Sequence, residues 1–309
     1  MLTTENDTLS AVPGIRVGHW TDPSGCTGCT VILGPVEGMT ASGLVLGGGP
    51  ASRELALLDP ARMVQRIDAL VLTGGSAFGL AAADGVMRWL HAQGRGFETM
   101  GGRVPLVPAA AIFDLLVSTR GVRPDADSGR LAAAAASDAP VAQGRVGAGA
   151  GATAGSYLGL GRAVRTGLGS FATRFVTDSG NVAWVGALAV ANPVGDIVDP
   201  DTGRVVAGHG LPAAEVAACI EGYVAQQNTT LIAVATDVPL TKGEAAGLAA
   251  SAHAGLARGV RPSHTPFDGD TVFVVSTGTG PSVSTGALAV MVQETAVRAV
   301  VRAASAEGS

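Results

Sequence analysis

Aromatic residues make up only 4% of the 309 residues, lysine occurs once, at Lys242, and there are three cysteines. Each shortage excludes something. So few aromatic rings cannot fill a core, and the 45 glycines, about twice the usual share, point instead to close backbone packing filled in by alanine and valine. Three cysteines make no disulfide framework and fit a reducing compartment. Cys26 and Cys29 form a C-x-x-C, but only Cys219 remains, so no second pair closes a zinc site and ordinary buried thiols are expected. A net charge of -5 and a pI near 5.5 argue against nucleic acid or an anionic membrane as partner. The longest apolar runs, such as 182–191, are too short and too glycine-interrupted to span a bilayer. Residues 1–12 are polar and acidic, unlike a signal peptide. The expectation is a globular, cytoplasmic protein.

Along the chain, Ile15 to His19, Thr30 to Leu33, Ala41 to Leu46 and Ala69 to Leu72 read as strands. Thr73-Gly74-Gly75-Ser76 then opens a helix expected from Ala77 to His91, with Phe78, Leu80, Val86 and Leu90 on its apolar face. A glycine-rich turn between strand and helix is a candidate anion site, so Gly74, Gly75 and Ser76 could hold a phosphate or a carboxylate, or serve only close packing. Gly147 to Ala152 has the spacing of a dinucleotide loop. The acidic residue that would hold the ribose is missing, since 139–177 contains no Asp or Glu.

Val182 to Val190 is a buried strand that delivers Asn192, a candidate oxyanion donor or a plain turn former before Pro193. Glu215 to Ala225 and Thr241 to Arg258 read as helices, the second opened by a Thr241/Glu244 capping box, and a last apolar helix runs from Ser284 to Ala304. Between them, Gln227, Asn228 and Thr229 precede the apolar run Leu231 to Ala235, with Gln226 to Asn228 expected to be exposed. A threonine opening a buried strand can be a self-cleavage point: once the preceding peptide is cut, its own amine, of pKa about 8, is the base for its Oγ. Asp268-Gly269-Asp270, just before the strand Thr271 to Ser276, could be a turn, a metal fragment or a pair that orients an amine and a hydroxyl.

The run Leu72 to Leu80 followed by Ala83-Asp84-Gly85-Val86, and the blocks Val107 to Leu115, Gly147 to Gly155, Ala191 to Gly195, Asn228 to Val234 and Asp268 to Phe273, resemble the self-processing aminopeptidases of the DmpA type. That family includes the β-peptidyl aminopeptidases and the nylon-oligomer hydrolase. Six ordered blocks cover nearly the whole chain. The resemblance implies an α/β fold, a four-layer α-β-β-α sandwich like the N-terminal-nucleophile hydrolases. It implies one catalytic domain, cut between Asn228 and Thr229 into 1–228 and 229–309. Thr229 would be the nucleophile and Asn192 the oxyanion donor. Asp268 and Asp270, expected near the surface of the site, would orient the nucleophile.

The same resemblance implies an amidohydrolase or aminopeptidase acting on small peptides, amino-acid amides or ω-amino-acid oligomers, as a homo-oligomer of cleaved protomers with no cofactor and no metal. The chain departs from the family at Phe113, where members carry a catalytic-site tyrosine, and at Ser156, where nylon hydrolases carry a lysine. Both positions are assigned to substrate binding. The rival readings are acyl transfer of the ornithine acetyltransferase type and a binding or scaffold protein that has lost activity.

Overall fold

Alternating apolar residues sort each long strand into two buried faces, and that alternation generates the layers. The computed structural model describes residues 6–24, 26–118, 121–177, 180–222 and 228–305. The strands of its two main sheets are, in chain order, β1 (Arg16–Thr21), β2 (Gly28–Leu33), β3 (Met39–Val45), β4 (Ala51–Arg53), β5 (Arg66–Ile67), β6 (Ala69–Thr73), β7 (Ala109–Ala111), β8 (Leu168–Val176), β9 (Val182–Asn192), β10 (Thr229–Thr236) and β11 (Thr271–Ser276). One sheet has the order β1-β2-β6-β7-β4, the other β8-β9-β10-β11-β3-β5. The main helices are α1 (Ala82–Ala92), α2 (Ala126–Ala134), α3 (Ala213–Glu221), α4 (Lys242–Gly259) and α5 (Thr285–Ser305).

Ile32, Leu70 and Leu72 of the first sheet meet Leu188, Val190, Leu231 and Phe273 of the second in the central core. The opposite face of the first sheet, with Val31 and Val71, packs on Val86 and Leu90 of α1 and Ala132 of α2. The outer face of the second, with Ile232, Val234 and Val272, packs on Leu248 of α4 and Val292 and Val300 of α5. The result is the expected α-β-β-α sandwich.

Glycine takes over the role of the missing aromatics most clearly where α1 crosses α2. A methyl group on Gly85 would overlap the Ala126 carbonyl, and one on Gly129 the Ala82 carbonyl. The single lysine is also structural: buried Lys242 Nζ donates to the carbonyls of Leu57 at 2.7 Å and Val64 at 2.8 Å, tying that loop to the start of α4. The Thr241/Glu244 capping box forms as expected.

Several boundaries differ from the sequence reading. The helix expected from Ala77 is one turn, Ser76–Gly79, followed by α1. Phe78 leaves the apolar face and lies 59% exposed beneath the Arg123 guanidinium, 3.8 Å from its ring centroid. Asp84 pairs with Arg53. α3 ends at Glu221, and 223–227, including Gln226 and Gln227, lie outside the described residues. In the last helix Leu288, Val292, Val297 and Val300 are buried within this chain, whereas Val290 is 66% exposed.

If the α1–α2 crossing depends on the absence of a side chain, Gly129→Ala should destabilise the fold by about 1–3 kcal/mol through overpacking. Urea denaturation should show a lower midpoint with an unchanged slope.

Candidate active site

β10 lies between an antiparallel neighbour, β9, and a parallel one, β11. Antiparallel pairing places Asn192, the last residue of β9, directly opposite Thr229, the first of β10. Parallel pairing starts β10 and β11 at the same sheet end, so the segments before them meet: Asn228 bridges Asp268. Thr229 and Asn192 share the parity of Leu231 and Val190, which face the central core between the sheets. Thr229, Asn192 and both aspartates are thereby gathered at one edge of the sandwich.

The Thr229 hydroxyl donates to the carbonyl of Asn228, the peptide it would attack. That carbonyl also accepts the Gly269 N–H at 2.8 Å, while the Asn228 N–H donates to Phe267 O at 2.9 Å. The Asn228 side chain is held by Ser156, whose Oγ donates to its Oδ1 at 3.1 Å. Asn228 is only 4% exposed, so the exposed segment expected before Thr229 is corrected at this residue. Gly269 is required sterically: a Cβ there would lie 2.7 Å from Thr229 Oγ1.

The aspartates are not near the surface, as the sequence reading had them. Asp268 is 0% and Asp270 1% exposed, because a three-residue link between a turn and a central strand has protein on all sides. Asp268 Oδ1 accepts the Val194 N–H at 3.1 Å, and its Oδ2 accepts the Thr265 N–H at 3.1 Å and the Thr265 hydroxyl at 2.6 Å. Asp270 Oδ1 accepts the Thr230 N–H at 2.7 Å, and its Oδ2 accepts from His264. The carboxylates thus act on the backbone flanking Thr229 and Asn192, while the Thr229 hydroxyl bonds to the Asn228 carbonyl. Burial, reinforced by the charge of Asp270, pushes the Asp268 carboxyl up to about 6, against the pull of its Thr265 and Val194 donors.

Asn192 is equally fixed. Its Oδ1 accepts the Thr153 N–H at 2.9 Å and the Thr153 hydroxyl at 3.3 Å, and its Nδ2 donates to Phe113 O at 3.2 Å. Phe113 is therefore joined to the site through its backbone, and it helps line a narrow cleft with Leu116, Val117, Leu160 and Asn228. At about 10 Å³ this cleft is at the limit for a single water.

Gly74, Gly75 and Ser76 stand one step away. The Gly75 N–H donates to Asp114 Oδ1 at 2.6 Å, and the Gly74 and Ser76 amides donate to Gly28 O and Ile112 O. The carboxylate on this turn is the chain's own Asp114, a residue that also lines the cleft. The sequence reading passed over Thr153, Thr265 and His264 as partners of the site. For Thr265 and His264 no local pattern signals the contact: they precede Asp268 by three and four residues and Asp270 by five and six. Among the described residues no group of three or more His, Cys, Asp or Glu could hold a metal ion. Cys26 and Cys29 are free thiols, and burial raises that of Cys29 to about 12.

Residues 7–307 match the model of peptidase family S58. An uncharacterized aminopeptidase of Mycobacterium tuberculosis is 43% identical over 294 residues, covering 88% of this chain and 82% of that protein. A 6-aminohexanoate-oligomer endohydrolase of Kocuria sp. is 33% identical over 300 residues, covering 90% of this chain and 78% of the relative. Among solved structures, a Burkholderia sp. beta-aminopeptidase aligns with a TM-score of 0.71 at 25% identity, over 96% of this chain and 86% of that one. The L-aminopeptidase D-Ala-esterase/amidase of Ochrobactrum anthropi, described as a variant of the Ntn hydrolase fold, aligns at 0.73 and 17% identity, over 98% and 86%. The fold of this chain is that of the Ntn hydrolases.

Asp268 accepts hydrogen bonds from three donors, a pattern that only the ionised carboxylate satisfies. Protonation would set an O–H against those donors and loosen Val194, two residues from Asn192. Below the limb that a freed Thr229 amine, of pKa about 8, would set, kcat/KM should therefore fall with a second proton as pH drops through about 6, the value to which Asp268 is raised. A pH–rate profile with a single proton step between pH 8 and pH 5 would contradict this assignment.

Proposed function

This chain belongs to peptidase family S58 and hydrolyses peptide or amide bonds, and we propose that it does so as a self-processing enzyme with an N-terminal threonine nucleophile. The observation that carries this reading is the Thr229 hydroxyl seated on the Asn228 carbonyl, with the Gly269 N–H on the same oxygen. In maturation Thr229 Oγ attacks the Asn228 carbonyl carbon, and the Gly269 N–H stabilises the oxyanion. The C–N bond breaks, the hydroxyl proton passes to the departing Thr229 nitrogen, and an ester links Asn228 to Oγ. Water then hydrolyses the ester, leaving an Asn228 carboxylate and a free Thr229 amine.

In turnover that amine takes the Oγ proton as Oγ attacks a substrate carbonyl, and Asn192 Nδ2 donates to the oxyanion. The proton moves to the leaving amine, and water releases the acyl group as a free acid. Asp268 and Asp270 hold the backbone on which Asn192 and Thr229 ride. The Ser156 side chain contacts Asn228 and Phe113 lines the cleft beside it, so their departure from the family pattern tunes substrate choice at the site. The pieces 1–228 and 229–309 remain one domain because β10 and β11 pair with strands of the larger piece.

The substrates are amides of small peptides, amino acids or ω-amino acids, in keeping with the aminopeptidase and oligomer-hydrolase relatives. We place the enzyme in the cytoplasm as a homo-oligomer. The three free thiols, Cys26, Cys29 and Cys219, suit a reducing compartment and support the first. Exposed Met63 and Met100 support the second.

Scaling 30.5 kDa by 228/309 and 81/309 gives fragments of roughly 22.5 and 8 kDa, which freshly purified protein should show on a denaturing gel. The small one should begin Thr-Thr-Leu-Ile-Ala. Thr229→Ala should stay in one piece and be inactive, whereas Thr229→Ser should still cleave, more slowly. Normal cleavage of the alanine variant would assign the cut to an outside protease. Incubation with aminoacyl p-nitroanilides and β-peptides should release free acid, and preferential transfer to an added amine would favour acyl transfer instead. Light scattering of a micromolar sample should give a mass above that of one protomer.

A further inference from the structure

His264 takes no part in the chemistry so far described, yet it makes the most constrained contact around Asp270. Its backbone sits in the left-handed region, at φ 56, which residues other than glycine uncommonly adopt. That conformation turns two donors of one residue onto one oxygen. The His264 N–H reaches Asp270 Oδ2 at 2.9 Å, and Nδ1 reaches the same atom at 2.8 Å. The other oxygen, Oδ1, accepts the Thr230 N–H at 2.7 Å, one peptide beyond the nucleophile.

The surroundings of the ring favour a cation. Asp270 and Asp268 supply negative charge, and the His253 backbone reinforces its effect on the ring. The His253 ring packs edge-on at 4.9 Å between centroids. It is held neutral by burial, with Nε2 on Leu44 O at 3.0 Å, so it does not compete for the charge. For His264 burial opposes protonation, but the bond to Asp270 and the carboxylate charges outweigh it and raise its pKa.

We propose that His264 is a positioning residue for the nucleophile: its backbone N–H and its ring Nδ1 together clamp Asp270 Oδ2, and Asp270 fixes the Thr230 amide and hence the strand end that carries Thr229. This rests on the reading of Thr229 as nucleophile. The rigid chain Thr229–Thr230–Asp270–His264 supplies the placement that a free N-terminal residue otherwise lacks. A new chain end frays unless the next backbone donor is held.

Two variants test the proposal in full-length protein, with chain cleavage checked on a gel first. His264→Ala removes the ring. In His264→Asn an amide donor can take the place of Nδ1–H, and asparagine tolerates the left-handed backbone, so the bond can persist without the charge. His264→Ala should lower kcat about 100-fold with KM changed less than about threefold, the signature of a misplaced reacting group. His264→Asn should recover about tenfold of that loss at pH 8. Its second, lower acid step of kcat/KM, that of Asp268, should sit about half a pH unit above that of wild type, because loss of a neighbouring cation favours the protonated Asp268 carboxyl. Wild-type kcat in His264→Ala, or equal losses in both variants with an unmoved second step, would overturn the proposal. Activity retained in Thr229→Ala would instead remove the nucleophile reading on which it rests, so the two failures are separable.

Discussion

Everything at the candidate site depends on the two pairings of β10. Its parallel partner, β11, begins at the same end of the sheet, and its antiparallel partner, β9, finishes there. One strand start, a second strand start and one strand end therefore converge, bringing Thr229, the Asp268–Asp270 segment and Asn192 together from positions far apart in sequence. Interior β-strands are stiff because both ladders are satisfied. The convergence is correspondingly rigid, and it does not depend on the flexible end that a cut between Asn228 and Thr229 would create.

Burial then sets the chemistry. An aspartate in a dry sheet edge is costly unless its oxygens are filled, and Asp268 and Asp270 are filled almost entirely by backbone N–H groups and neighbouring hydroxyl and imidazole donors. In exchange the carboxylates immobilise the backbone of Val194, Thr230, His264 and Thr265. Their effect on a reaction at Thr229 passes through position rather than contact. The same logic holds for Asn192, whose amide is anchored by Thr153 and the Phe113 carbonyl before any substrate arrives.

The glycine-rich, aromatic-poor composition has its counterpart in the packing. Gly269 leaves room for Thr229 Oγ1, Gly47 and Gly48 let backbone pass against 266–270, and Gly74 and Gly151 crowd the Asp114 carboxylate. A chain built on aromatic rings would have to hold these segments further apart. The Thr229 hydroxyl and the Gly269 amide could not then converge on the Asn228 carbonyl oxygen.

The sequence by itself determined the layers and the main actors. The continuous apolar runs of β10 and β11, the capped α4 and the resemblance carried by six blocks point to an α-β-β-α sandwich with Thr229, Asn192, Asp268 and Asp270 as the expected chemical residues, because run length and motif are local properties. Only tertiary structure decided who touches whom. The split of the 77–91 helix, the exposure of Phe78, the burial of both aspartates, and the engagement of Gly75 by Asp114 follow from contacts between segments with no mark in the local pattern. His264 was invisible for the same reason: nothing in a histidine after a proline-containing turn says that its backbone and ring will close on one carboxylate oxygen. That contact exists because β10 and β11 start side by side, and the pairing of strands is a property of the folded chain.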